Sequence, residues 1–297
     1  MPEDMLVKIF MSLNTMDMID GVRRVCSSWR HAWRVASSDP NVWKTIDLGM
    51  LQSNFIKTIV PPYIWVSEES DKKLMHVLKM AFKLSGSNVR TLIFDINLYL
   101  KNEHLTYVAQ RSPHLKRLVL PACEFITASC IEEAVLQWPE LESLTVDCIG
   151  EHFLIPIGNN CKNFTELKIM EGPFDIHTAA NISFHFPKLK VLSLRCSLLQ
   201  EVAINYILKN MKHLEVLNLS HSLFVIDPQY PEPKWFLKTL DSSILEKASP
   251  LKQLITCGDI CCALCQSMTI DEGYLRWYKF KSLWRTDEVS SLACLLT

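Results

Sequence analysis

Residues 115–120 read LKRLVL, and the same apolar-x-x-Leu-x-apolar pattern returns as VRTLIF from Val89, LESLTV from Leu141, FTELKI from Phe164, LKVLSL from Leu189 and LEVLNL from Leu214. The starts lie 26, 26, 23, 25 and 25 residues apart, a register too close for accident. Within each copy the central Leu and the apolar residue two places on share one face of a strand. Between copies the period lengthens: NEHLTYVAQR, TASCIEEAVLQ and EVAINYILKN carry apolar groups three or four apart, as short amphipathic helices do. Thr127 and Asn102 stand where side-chain oxygens cap such helices. One strand and one returning helix cannot bury an apolar face alone, so the copies must stack, with strands on one side and helices on the other.

The spacing falls within the roughly 20–29 residues of leucine-rich repeats, which predicts a curved α/β solenoid. An earlier copy is WKTIDL, where Trp43, Ile46 and Leu48 keep the strand pattern. Between it and Val89 lie Pro61, Pro62, the polar run SEESDKK and a helix in LMHVLKMAFKL, more than a standard repeat holds. The repeats resemble the cysteine-containing subfamily: Cys123 follows its strand at the family spacing, CEFITASCIEEAV continues in the family manner, and Cys161 occupies the position before the next strand. Cys148 and Cys196 come one residue earlier, which predicts tighter or irregular turns. A thiol at these places is a redox or metal group or, more simply, a small side chain filling the turn.

Composition bounds the function. The 297-residue chain is 48% hydrophobic, enough for a substantial core, and its 31 basic and 32 acidic residues leave a formal charge of −1. No global field recruits nucleic acid or an anionic membrane. No apolar run reaches the roughly 18 residues of a membrane span, and the first residues are acidic rather than the basic start of a signal peptide. The eleven cysteines are spread along the chain, as in a protein of a reducing compartment. The expectation is a cytoplasmic or nuclear protein without nucleic-acid or membrane partners. No glycine-rich phosphate loop, H-E-x-x-H pair or G-x-S-x-G elbow is present, and the nine histidines are scattered, so no catalytic residue, metal site or cofactor is assigned.

The front end, MPEDMLVKIFMSL, reads as an amphipathic helix. Leu6, Ile9, Phe10 and Leu13 fall at i, i+3, i+4 and i+7; Pro2 suits a first turn, and Glu3 and Asp4 complement the helix dipole. Helical spacing continues through Met18, Ile19, Val22, Val25, Cys26 and Trp29, with Gly21 as a weak point and Asp39-Pro40 as the stop. Residues 1–48 resemble an F-box: MPEDMLVKIFMSL stands for its opening, VRRVCSSWRHAW for its Val-Cys-x-x-Trp-Arg core and DPNVWKTIDL for its exit. Met1 replaces the usual Leu, and Gly21 interrupts the second helix. The resemblance implies three helices whose apolar stripe docks a Skp-type adaptor, and through it a cullin–RING ubiquitin ligase, with Pro2, Leu6, Ile9, Phe10, Leu13, Val25 and Trp29 as the adaptor-binding residues. The same stripe can instead be consumed inside the bundle, against Val22, Val25 and Trp29.

The predicted organisation is therefore a three-helix F-box over 1–48, an irregular or inserted first repeat over 49–87, six repeats over 88–226 with parallel strands concave and helices convex, and a cap and tail over 227–297. SPLKQL offers a divergent seventh strand before the tail. There CGDICCALC holds Cys257, Cys261, Cys262 and Cys265 with one C-x-x-C pair, where a structural zinc site wants two pairs or a partnering His. Trp277, Tyr278 and Trp284 follow, in a stretch similar to the C-terminal segment of plant-type F-box/LRR proteins.

Strand alternation places Arg117, Thr145, Glu166, Lys168, Ser193 and Asn218 on the concave, solvent side, with Asp147, Met170, Arg195 and Ser220 just beyond the strands. Collectively these are the candidate target-binding residues, because the inner surface of a solenoid is its usual recognition surface. The function expected is a non-catalytic substrate receptor that holds a target protein near the ligase for ubiquitination and proteasomal degradation. The alternatives are an interaction scaffold whose front helices merely cap the solenoid, and a small-molecule sensor.

Overall fold

A computed structural model describes residues 3–13, 15, 17–21, 25–36, 39–48, 68–95, 98, 100–121, 123, 125–146, 149–169, 173–225, 235–236, 240 and 242–257. The chain divides into two compact units, Met1–Leu141 and Glu142–Thr297.

The first unit opens with α1 (Glu3–Ser12), a π-helical stretch over Asp17–Gly21, α2 (Ser27–Ala36) and a 3-10 turn over Pro40–Trp43. The middle helix of the expected three is thus a single wide turn, and it ends at Gly21. Three parallel strands follow, β1 (Thr45–Asp47), β2 (Thr91–Ile93) and β3 (Arg117–Val119), pairing in the order β1-β2-β3. WKTIDL does start the array: Trp43, Ile46 and Leu48 are 1%, 0% and 0% exposed. Between the strands run α3 (Glu68–Ser85), α4 (Asn102–Ala109) and α5 (Ala128–Leu136), with α4 packed on α5.

Capping differs between the last two helices. Thr127 Oγ1 accepts the Cys130 N–H, as an N-cap does. Asn102 lies one residue inside α4 instead, because the Lys101 N–H donates to His104 Nδ1 and sets the start. The Asn102 carboxamide bridges to the next repeat, accepting the Thr127 N–H at 2.9 Å and donating to Thr127 Oγ1 at 3.1 Å.

The second unit stacks β4 (Ser143–Val146), β5 (Glu166–Ile169), β7 (Val191–Ser193), β9 (Val216–Asn218) and β12 (Gln253–Ile255) in one parallel sheet. β12 is the divergent strand that SPLKQL implied. Leu144, Leu167, Leu192 and Leu217 align across it at 0–1% exposure and form the spine of the core. The helices α6 (Glu151–Asn160), α7 (Ile176–His185), α8 (Glu201–Asn210) and α9 (Ser242–Ala248) pack neighbour on neighbour. Short strands β6 (Pro173–Phe174), β8 (Leu198–Gln200) and β10 (Leu223–Val225) form a second parallel sheet, and β11 (Trp235–Phe236) pairs antiparallel to β10. No described helix is long and apolar enough to cross a membrane.

Candidate functional site

Two sets of side chains carried functional expectations, one on α1 and α2, the other on the strands. Pro2, Val22, Asp147, Cys148 and Met170 lie outside the described residues, as do Cys261, Cys262, Cys265, Trp277, Tyr278 and Trp284.

The stripe of α1 splits in two. Leu6 and Phe10 are 4% and 1% exposed, and the Phe10 ring meets the Trp29 ring edge-on with centroids 5.5 Å apart, so this half holds α1 against α2. Ile9 and Leu13 are only half-buried, and Met5 is 51% exposed. Met5 and Ile9 stand at i and i+4 along one side of α1, and Leu13 follows four residues on, just past its end. Trp29 is half-buried, and Val25 is 59% exposed just before α2. The described fold leaves these five apolar side chains, taken together as a seam, partly wet. Covering their remaining surface would contribute on the order of 5 kcal/mol before the costs of association.

The seam rests on a fixed base. Trp33 Nε1–H donates to the Met18 carbonyl at 3.0 Å inside the helical segment, and the Asp47 N–H donates to Thr15 Oγ1 at 2.8 Å. The second bond ties the front helices to β1, so a deletion of residues 1–48 would remove the first strand together with the helices.

The strand set behaves differently from its expectation of solvent exposure. Arg117, in the first unit, is half-buried. In the second unit Thr145, Lys168, Ser193 and Asn218 align in register across β4, β5, β7 and β9, and they are 0%, 0%, 2% and 2% exposed. Arg195 and Ser220, beyond the strands, are 3% and 8% exposed. The row is a buried polar network rather than a wet recognition surface. Lys168 Nζ lies 3.1 Å from Glu166 Oε1, the Glu166 side chain retaining 15% exposure, and the Ser220 N–H donates to Asn218 Oδ1 at 3.0 Å. A buried ammonium requires such a partner, because unpaired burial costs far more than its pairing returns. Period-two alternation assigns these residues to one face of the sheet but carries no information on whether that face is covered.

The thiols sort by burial. Cys123, Cys130 and Cys161 are buried, and desolvation pushes the Cys161 thiol up to about 12, which keeps it protonated at neutral pH. Cys196 takes a left-handed φ of 59°, an irregular turn of the kind its early position implied. Among the described residues no group of three His, Cys, Asp or Glu side chains is arranged to hold a metal ion.

Comparison with known proteins gives these features a context. The F-box domain family model matches residues 1–40, the segment that carries the seam. An F-box/LRR-repeat protein of Arabidopsis thaliana is 43% identical over 294 residues, which is 97% of this chain and 94% of that protein. The chain belongs to the F-box/LRR-repeat proteins. The F-box protein SKIP19 of Arabidopsis thaliana is also similar, 28% identical over 225 residues, 74% of this chain and 67% of that protein. In this F-box/LRR-repeat protein the residue that the sequence pattern missed is Met5. An i, i+3, i+4, i+7 stripe counted from Leu6 takes in Leu6, Ile9, Phe10 and Leu13 but passes over Met5, and its division becomes visible only once Leu6 and Phe10 are seen to be consumed by packing.

Proposed function

We propose that this F-box/LRR-repeat chain is the substrate-recognition subunit of an SCF-type ubiquitin ligase. The observation that carries the proposal is the partly exposed seam of Met5, Ile9, Leu13, Val25 and Trp29, set on a segment that matches the F-box family and braced by buried hydrogen bonds. The seam docks a Skp-type adaptor, which joins the chain to a cullin–RING assembly. Leu6 and Phe10 support it from within. The division of labour is 1–48 for the adaptor, 49–87 as an irregular first repeat, 88–226 as the repeats that hold a target protein, and 227–297 as cap and tail. Arg117 and Glu166 are the candidate target contacts that keep access to solvent, whereas Thr145, Lys168, Ser193, Arg195, Asn218 and Ser220 act by shaping the sheet that presents them. Ubiquitin transfer is the work of the partner subunits, the target is destined for the proteasome, and the setting is the cytoplasm or the nucleus.

A second reading, a scaffold whose helices only cap the repeats, draws on the Thr15–Asp47 bond, which integrates the front end with the first strand. Co-expression of the full chain with a Skp-type adaptor separates the two. Co-elution as a stoichiometric complex that also captures a cullin–RING subunit supports the receptor; a folded chain that elutes without adaptor supports the scaffold.

A further inference from the structure

In the second unit the turns after β7 and β9 each pass a backbone N–H to the repeat that follows. After β7 the Leu194 N–H donates to the Asn218 carbonyl at 2.8 Å, and after β9 the Leu219 N–H donates to the Ile255 carbonyl at 2.8 Å. Two residues further along the first of these turns, Cys196 donates its N–H to the Ser220 carbonyl at 3.1 Å. The counterpart of Cys196 is His221, and both take a left-handed φ, 59° and 55°. The counterpart of Ser220 is Cys257, two residues past Ile255, as Ser220 is two past Asn218. Here the pattern changes: the acceptor for the His221 N–H is the Cys257 sulfur, at 3.3 Å, in place of a carbonyl.

The same sulfur faces the imidazole. His221 Nδ1 lies 3.0 Å from Cys257 Sγ, and the buried Arg195 guanidinium acts on His221. Burial first, and the Arg195 charge second, hold the His221 pKa below its ordinary value. A charge that disfavours an imidazolium favours a thiolate, and a backbone N–H aimed at sulfur does the same, since a neutral thiol is a weak acceptor. Cys257 is half-exposed, unlike Cys123, Cys130 and Cys161.

We propose that Cys257, held between the His221 N–H and the His221 imidazole, is a modification site that reacts selectively with small soft electrophiles and with hydrogen peroxide. In the peroxide reaction the thiol loses its proton to solvent, and the thiolate, held by the His221 backbone N–H and Nδ1–H, attacks one peroxide oxygen. The S–O bond forms as the O–O bond breaks, and the departing hydroxide takes a proton from solvent and leaves as water. Sulfur loses two electrons to give the sulfenic acid, and the peroxide is reduced.

Residue-resolved alkylation of the full chain with iodoacetamide between pH 5.5 and 9, read by peptide mass spectrometry, tests the site. The exposed Cys26 serves as the reference thiol. Cys257 is expected to react about fivefold faster than Cys26 at pH 6.5, with its rate profile displaced to lower pH. His221→Asn, which keeps a side chain tolerated at left-handed φ, should slow Cys257 about tenfold at that pH, the consequence of a thiol pKa raised by about one unit. Cys161 must stay unlabelled throughout as the mark of an intact fold. Dimedone trapping after a brief peroxide pulse should label Cys257 before Cys26. A wild-type Cys257 slower than Cys26 at every pH overturns the proposal, whatever the variant does, and so does a folded His221→Asn chain with an unchanged Cys257 rate.

Discussion

Replacing Asp175 by Ala should loosen the start of α7 in a pH-dependent way. Asp175 is the N-cap: one carboxylate oxygen accepts both the Thr178 N–H and the Thr178 hydroxyl, each at 2.8 Å, while its own carbonyl receives the Ala179 N–H. The helix so anchored contributes Ala179 and Ile182, each 0% exposed, to the core and packs against both α6 and α8. Loss of a capping oxygen costs about 1 kcal/mol, within a range of about 0.5–2, and lowers Tm by about 2–4 °C in a domain of this size. Asp175→Asn retains an acceptor and should recover most of the loss.

The Thr178 N–H is the largest cause of a carboxyl pKa held below the ordinary aspartate value. A depressed folded-state pKa stabilises the fold fully above the unfolded-state pKa, and the contribution disappears as pH falls through the folded value. The gap between wild type and Asp175→Ala should therefore be constant from pH 7 to about 5 and should narrow below about pH 4. Thermal melts followed by circular dichroism across that range measure it. A gap that is absent at pH 7, or that widens on acidification, would refute the capping account.

Trp138→Phe removes an indole N–H that donates to Ser112 Oγ at 3.0 Å, itself bonded to the Val108 carbonyl at 2.8 Å; with Trp138 2% and Ser112 0% exposed, the urea midpoint should fall by the equivalent of about 1–3 kcal/mol. Gly158→Ala should fail to stabilise α6 despite the better helix propensity of Ala, because a Cβ there meets the His185 carbonyl oxygen at 3.0 Å and the His185 Cβ at 3.3 Å across the α6–α7 contact; differential scanning calorimetry would show no rise in Tm. The Cys161 thiol, raised to about 12 by burial, should resist a chromogenic disulfide at pH 8 in the native chain and react at once in denaturant.

Much of the architecture was legible because the repeat writes one leucine per strand. Leu92, Leu118, Leu144, Leu167, Leu192 and Leu217 all sit at the centre of the motif, and all are buried to 0–1%. Other elements gave weaker signals. Pro156 lies inside α6, and α7 carries His177, Thr178 and Asn181 among its apolar positions, so neither helix shows a clean period. Strands of two or three residues, such as β6 and β8, are too short for any alternation to register. The buried polar row of Thr145, Lys168, Ser193 and Asn218 followed from pattern only as a face. Its closure is a tertiary property, as is the meeting of His221 with Cys257 across 36 residues of chain.

The apolar stripe of α1 obeys the same limit. Leu6, Ile9, Phe10 and Leu13 were legible together as one apolar stripe, but the division of that stripe between an inward and an outward use depends on where α2 packs. Phe10 is consumed by Trp29, while Ile9 stays half-covered beside the exposed Met5. That division also decides which substitution is informative: Phe10 variants disturb the fold, whereas Ile9 variants probe the surface.

The most direct test is the affinity of a Skp-type adaptor for the full wild-type chain and for Ile9→Asp, measured by calorimetry alongside the melting temperature of each. The receptor account predicts binding by the wild type and at least a tenfold weaker Kd for Ile9→Asp, a loss of about 1.4 kcal/mol or more, with an unchanged melt. Equal affinities in two equally folded chains, or no binding by the wild type, would contradict it.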